Sequence, residues 1–311
     1  MASAPPRQLS QLLETLRSTG TLSAAELAGL SDLSREEAEA LRAAWPDVAP
    51  AERESLLTRA LELAEDNVDL DFARFAGVAL DDTSAPVRRA AARVLWEVED
   101  RIVVARLAQM VRSDDDEGVR AASAAALAHA VVRAEFESLD RETSELVTAA
   151  LREAAENPSE ALDVRAAAIE SIGARSLPWI NTLINDAYYA EDERLRVAAI
   201  RAMGASADER WVEYLADQAV SDDPMFRFEA AQSLGLIASD EGIDPLIALL
   251  DDEDLEVVAA ALFSLGEIGG EDVIEILMRV KAEPPEGLEE EVDAALEMAR
   301  FVTTEGGRDS E

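Results

Sequence analysis

One pattern constrains the fold of this 311-residue chain more than any other: an acidic turn, an apolar anchor, usually an arginine, then an alanine-rich stretch. Its copies read DDTSAPVRRAAARVLW (81–96), SDDDEGVRAASAAALA (113–128), SEALDVRAAAIESIG (159–173), EDERLRVAAIRAMG (191–204), DDPMFRFEAAQSLG (222–235) and DDEDLEVVAAALFSLG (251–266). The anchors Val87, Val119, Val164, Leu195, Phe226 and Val257 stand 32, 45, 31, 31 and 31 residues apart. Such a period is the mark of a repeat array, in which each unit buries its apolar face only against its neighbours.

Each copy is helical by its own spacing. Small and apolar residues fall three, four, seven and eight positions after the anchor, as Ala198, Ala199, Ala202 and Met203 do, or Ala260, Ala261, Ser264 and Leu265. That is one face of a 3.6-residue helix. Nine positions after the anchor the last four copies carry Gly173, Gly204, Gly235 and Gly266, where a helix can stop or meet a neighbour closely. A second helical pattern lies between copies, for example at 211–216 and 245–250. No useful β alternation occurs. The sequence predicts an all-α fold built from an A helix, an acidic turn and a B helix.

The segment 242–270, GIDPLIALLDDEDLEVVAAALFSLGEIGG, resembles a HEAT repeat of the short, phycocyanobilin-lyase-like type. The resemblance covers 50–302, with Trp96 and Ala128 where later copies have glycine and Val258 where others have arginine. It implies an α-solenoid, a right-handed superhelix of about six two-helix repeats, with helical caps at both ends and B helices on the concave face. It also implies that the arginine after the anchor joins an inter-repeat hydrogen-bond ladder with an acidic turn residue. Arg88, Arg120, Arg165, Arg196 and Arg227 match that position and are read as structural.

The ends differ from the repeats. Residues 1–49 read as an N-terminal helical cap or adaptor, with helices at 7–18 and 34–44 and turns around 19–33. Ser34-Arg-Glu-Glu37 has capping-box spacing. The solenoid is expected over 50–302, including a capping helix at 288–302 after the break at Pro284-Pro285, and 303–311 reads as a frayed acidic tail.

Chemistry is hard to place in this composition. There is no cysteine and one histidine, His129, so thiolate catalysis and His/Cys metal sites lack ligands. No phosphate-binding glycine loop or nucleophile elbow appears. Among HEAT enzymes, deoxyhypusine hydroxylase surrounds a di-iron centre with His-Glu pairs, and this chain has none. The expectation is therefore no catalytic residue, no cofactor, no metal and no enzyme activity, with bilin-lyase-like handling of a tetrapyrrole and its acceptor protein as the alternative. The absence of cysteine, of an apolar leader after Met1 and of a long apolar run points to a cytoplasmic chain.

Charge and aromatic residues indicate the partner class. Lys+Arg 28 against Asp+Glu 66 gives a net charge of −38, which disfavours nucleic acid and anionic membranes. Much of the acid lies just before the B helices, where carboxylates cap free N–H groups and meet the helix dipole. Seven of the aromatic residues fall between 179 and 228. Trp179, Trp211 and Phe226 fit the core between helices. The candidate partner-binding set is Tyr188, Tyr189, Tyr214, Phe228 and Trp211, since tyrosine and tryptophan concentrate at interface hot spots. The sequence thus predicts a protein-interaction scaffold that binds a basic or amphipathic partner segment.

Overall fold

The computed structural model describes residues 6–306, and among these every regular element is helical. The chain divides into two compact units, Met1–Ile172 and Gly173–Glu311.

The first unit opens with α1 (Pro6–Thr19), α2 (Ala24–Ala28) and α3 (Arg35–Ala44). The expected capping box is present: Ser34 Oγ accepts the Glu37 N–H at 3.2 Å, and Glu37 Oε2 accepts the Ser34 N–H at 2.9 Å. A second box of the same spacing, Ser23 with Glu26, starts α2 inside the stretch the sequence assigned to turns. Then follow α4 (Pro50–Asp66), α5 (Ala73–Ala79), α6 (Ala85–Val94), α7 (Arg101–Ser113), α8 (Glu117–Ala126), α9 (Ala128–Glu135), α10 (Arg141–Glu156) and α11 (Leu162–Ile172). The B helices α4, α6, α8 and α11 stack in succession, while α5, α7 and α10 pack on them as A helices. The extra helix α9 accounts for the long interval between Val119 and Val164.

The second unit contains α12 (Pro178–Tyr188), α13 (Glu193–Ala205), α14 (Val212–Ala219), α15 (Pro224–Ile237), α16 (Ile243–Leu249), α17 (Leu255–Ile268), α18 (Glu271–Ala282) and α19 (Glu289–Gly306). B helices α13, α15, α17 and α19 stack in order, and α12, α14, α16 and α18 lie against them. The α18/α19 pair packs as the earlier pairs do, so the C-terminal helix occupies the B position of a further repeat. It runs to Gly306, and 307–311 of the acidic tail lie outside the described residues. All six anchors are buried.

The glycines settle how B helices meet. Gly204, Gly235 and Gly266 lie inside their helices, so they do not stop them. A Cβ on Gly204 would come 2.8 Å from the Ser233 Cα, and one on Gly266 3.0 Å from the Ala295 carbonyl oxygen. Only a residue without a Cβ lets two backbones approach that closely.

The acidic turns do two jobs. Asp116, Asp192, Asp223 and Asp254 cap α8, α13, α15 and α17 through side-chain acceptance of backbone N–H groups. Others in these turns receive arginines. Arg88 grips Asp114 with two bonds of 2.8 and 2.7 Å and donates to the Asp82 carbonyl at 2.9 Å. Arg120 pairs with Glu160 at 2.7 Å and donates to the Asp114 carbonyl at 2.8 Å. Arg227 grips Asp252 at 2.6 and 2.8 Å and donates to the Ser221 carbonyl at 2.9 Å. These are charge-assisted, mostly bidentate bonds across successive repeats.

Arg165 and Arg196 depart from that scheme. Arg165 donates to the Ala155 carbonyl at 3.3 Å. Arg196 donates to the Ala190 and Glu191 carbonyls, and its guanidinium lies 5.2 Å from the Phe226 ring centroid. No carboxylate pairs with either among the described residues. In place of an acid, the next turn offers Arg196 the hydroxyl residue Ser221. One rung escaped the sequence reading: Arg53 on α4 pairs with Asp82 at 2.5 Å, and Trp45 Nε1 donates to the same oxygen at 2.8 Å. Arg53 lies outside the six matched copies, so the pattern alone did not single it out.

Candidate functional site

The tyrosines form a connected cluster on the A helices of the second unit. Tyr188 ends α12 and Tyr189 follows it, while Tyr214 stands on α14. Their rings meet edge to face: 5.0 Å between Tyr188 and Tyr189, 5.4 Å between Tyr188 and Tyr214, and 5.3 Å between Tyr214 and Trp211. This arrangement sets the positive ring edge against the negative face. Gln218 Nε2 donates to the Tyr188 hydroxyl at 2.6 Å, and that hydroxyl donates to the Tyr214 carbonyl at 3.4 Å. Burial pushes the Tyr188 phenol up, and the nearby Asp217 carboxylate adds to the rise against the lowering effect of Gln218. Tyr188 therefore stays neutral and fixed.

Exposure differs sharply along the cluster. Trp211 is 3% exposed and belongs to the core, so its indole is out of a partner's reach. Tyr188 and Tyr214 are half-buried, and Tyr189 is 69% exposed. Phe228 is half-buried on the B helix α15, and no ring contact joins it to the tyrosines. The structure thus brings four of the five candidates together and leaves Phe228 on the other helix layer. Trp179 is half-buried, and Phe226 is buried beneath Arg196.

Other features had no strong sequence signal. His129 is the second residue of α9, and its buried Nε2 has no hydrogen-bond partner. No group of three or more His, Cys, Asp or Glu side chains that could hold a metal ion occurs among the described residues. A groove of about 860 Å³ runs over the first unit's B helices, lined by Leu61, Arg89, Arg93, Trp96, Ala121 and Ala125 among others. Sequence reasoning also missed Leu236, Phe263 and Met298, which stand exposed on the second unit's B helices. Single exposed apolar residues are common, so only their spatial register could have revealed them. Among the described residues no helix is long and apolar enough to cross a membrane.

The HEAT repeat model matches the sequence at 74–173, 180–263 and 212–297. No curated protein matches the sequence significantly. Among solved structures, the chain is similar to human deoxyhypusine hydroxylase in complex with glycerol, at 16% identity and a TM-score of 0.36, covering 95% of this chain and 96% of that one. It is also similar to the Escherichia coli protein YibA, at 16% identity and a TM-score of 0.46, covering 96% and 98%. A third likeness is Kap95p, solved with RanGDP, at 12% identity and a TM-score of 0.47, covering 96% of this chain and 46% of that one. Likenesses this distant show the fold alone.

They do correct one expectation. The sequence pointed to a chain that is not an enzyme, yet an enzyme stands among the structures similar to it over nearly its whole length. Function lives in sites grafted on a fold, so the architecture by itself says nothing for or against catalysis. What the family match establishes is the architecture: this chain belongs to the HEAT-repeat family.

Proposed function

We propose that this chain is a protein-interaction scaffold that holds a basic or amphipathic segment of a partner protein. The observation that carries this reading is the tyrosine cluster, whose rings are fixed at one end by Trp211 and open at the other through Tyr189. A ring held rigidly by its neighbours loses little conformational freedom on binding, which favours a hot spot. Charge supports the same choice of partner. Between residues 173 and 311 there are 10 arginines and lysines against 33 aspartates and glutamates, a net of −23. Such a field steers basic segments inward and repels phosphate backbones and anionic lipid. A reducing compartment such as the cytoplasm suits a chain without cysteine.

The test is co-purification of partners from the native host with Tyr189→Ala beside the wild type. The variant should lose the partner and keep its melting temperature, since Tyr189 is exposed. Retention of the same partner at the same yield would overturn the assignment of the cluster. A visible absorption band in the purified protein would favour tetrapyrrole handling instead.

A further inference from the structure

The close approach of the B helices in the second unit has a consequence for its surface. Gly235 sits against Ser264, and Gly266 against Ala295 and Met298, so residues flanking these points lie side by side on adjacent helices. Leu236 follows Gly235, Phe263 precedes Ser264, Glu267 follows Gly266 and lies one turn from Phe263, and Met298 borders Gly266. Leu236 is 55% exposed, Phe263 54% and Met298 40%. Three helices therefore contribute large apolar side chains to one area, unlike the scattered apolar residues of an ordinary surface.

Glu267 stands within this row. It is half-buried, and it makes no hydrogen bond or ion pair among the described residues. Burial raises its carboxyl, with no opposing interaction. A carboxylate partly stripped of water and left unpaired favours an incoming cation.

We infer that this B-helix face is a docking surface for a basic amphipathic helix of a partner protein. The apolar stripe of that helix lies over Leu236, Phe263 and Met298, and one lysine or arginine reaches Glu267. The unit's net charge of −23 attracts such a helix at long range, and the apolar row holds it at short range. Methionine and phenylalanine suit this role, because a flexible thioether and a flat ring adapt to varied partner side chains. The inference deepens the scaffold reading but rests on the B helices, away from the tyrosines of the A helices.

The probe is a fluorescein-labelled 18-residue leucine/lysine peptide with an amphipathic helical pattern, titrated by anisotropy into the full chain. A scrambled peptide of the same composition is the control for charge alone. The amphipathic peptide should bind at least tenfold more tightly than the scrambled one. Phe263→Ser and Leu236→Ser should each weaken it about tenfold, the loss expected of an interface hot spot, with melting temperatures unchanged. Glu267→Gln should weaken it severalfold and reduce its salt dependence.

Equal binding of the two peptides, or wild-type binding by both serine variants, overturns the inference. Tyr189→Ala separates the two readings. Loss of peptide binding in that variant, with none in the serine variants, sinks the B-helix surface and leaves the tyrosine site standing. Retained peptide binding alongside lost partner capture supports the B-helix surface and the tyrosine site as separate sites.

Discussion

Gly235 lies so close to Ser264 that a Cβ at 235 would fall 2.5 Å from the serine Oγ and 2.9 Å from its Cα. The second atom is backbone, so no rotamer change can relieve the clash. Two B helices are held at a distance that only hydrogen at position 235 permits.

Gly235→Ala should therefore destabilise the protein by about 1–3 kcal/mol, the usual range for overpacking. Gly77 supplies the control. It lies in α5, where an added Cβ would meet only Val103 Cγ2 at 4.0 Å. Gly77→Ala should stabilise by up to about 1 kcal/mol through helix propensity. Urea denaturation of both variants checks the pair; a harmless alanine at 235 would show that the helices can move apart freely.

The arginine rungs predict a double-mutant cycle. Arg227 and Asp252 are mostly buried, with side-chain exposures of 11% and 7%. Arg227→Ala leaves Asp252 desolvated without its partner and should cost about 3 kcal/mol. Removing both residues should cost less than the sum of the single changes, because the second removal relieves an unpaired charge. Additive single effects would refute a coupled rung.

Arg53 should be at least as sensitive. It and Trp45 converge on Asp82, whose side chain is fully buried. Arg53→Met keeps much of the apolar volume but strands the carboxylate. A loss of about 3–5 kcal/mol is expected, the cost of breaking a buried pair. Thermal melting would show it as a drop of several degrees, and an unchanged midpoint would contradict the rung.

Acid should weaken the rungs of Arg88, Arg120 and Arg227. Burial alone would raise the Asp114 carboxyl, but bonds from Arg88 and the Asp116 N–H, with the charge of Arg88, bring it below its ordinary value. Glu160 is lowered against burial by Arg120 and the Ala161 N–H, and Asp252 chiefly by its bond from Arg227. For each, the folded state holds its proton less tightly than the unfolded state does. Their stabilisation is thus full above the unfolded value near pH 4 and fades as pH falls through the lower folded value. Glu267 has the opposite sign, since its raised carboxyl penalises the folded state once ionised. Glu267→Gln should leave the melting temperature at pH 7 equal or higher, and a clear drop there would contradict its desolvation.

Partner binding should also respond to salt. A field of −23 over the second unit is screened as ionic strength rises from ~50 to ~500 mM, where the Debye length falls to a few ångströms. Affinity should fall by at least tenfold over that range, mainly through slower association. Salt-indifferent affinity would exclude electrostatic steering.

Much of the fold was legible because helical periodicity is local. Valine, leucine or phenylalanine anchors with mostly small or apolar residues three, four, seven and eight positions on specify a helix face in the one-dimensional chain. Acid before four of the B helices likewise marks a cap, at Asp116, Asp192, Asp223 and Asp254. The arginines were legible in position only. Whether Arg196 meets a carboxylate or a phenyl ring depends on the following repeat, where Ser221 stands in the turn and Phe226 comes within reach.

By itself, then, the sequence determined the two-helix unit, its period and the acidic turns, since these follow from spacing along one segment. Tertiary structure decided which side chains remain available to a partner. Trp211 and Tyr189 belong to one aromatic run, yet packing of α14 buries the first while the end of α12 exposes the second. Glycine spacing allowed either a helix stop or a close approach, and the Ser264 backbone beside Gly235 selects the approach. Burial belongs to pairs of helices, and a single strip of sequence specifies only one member of each pair.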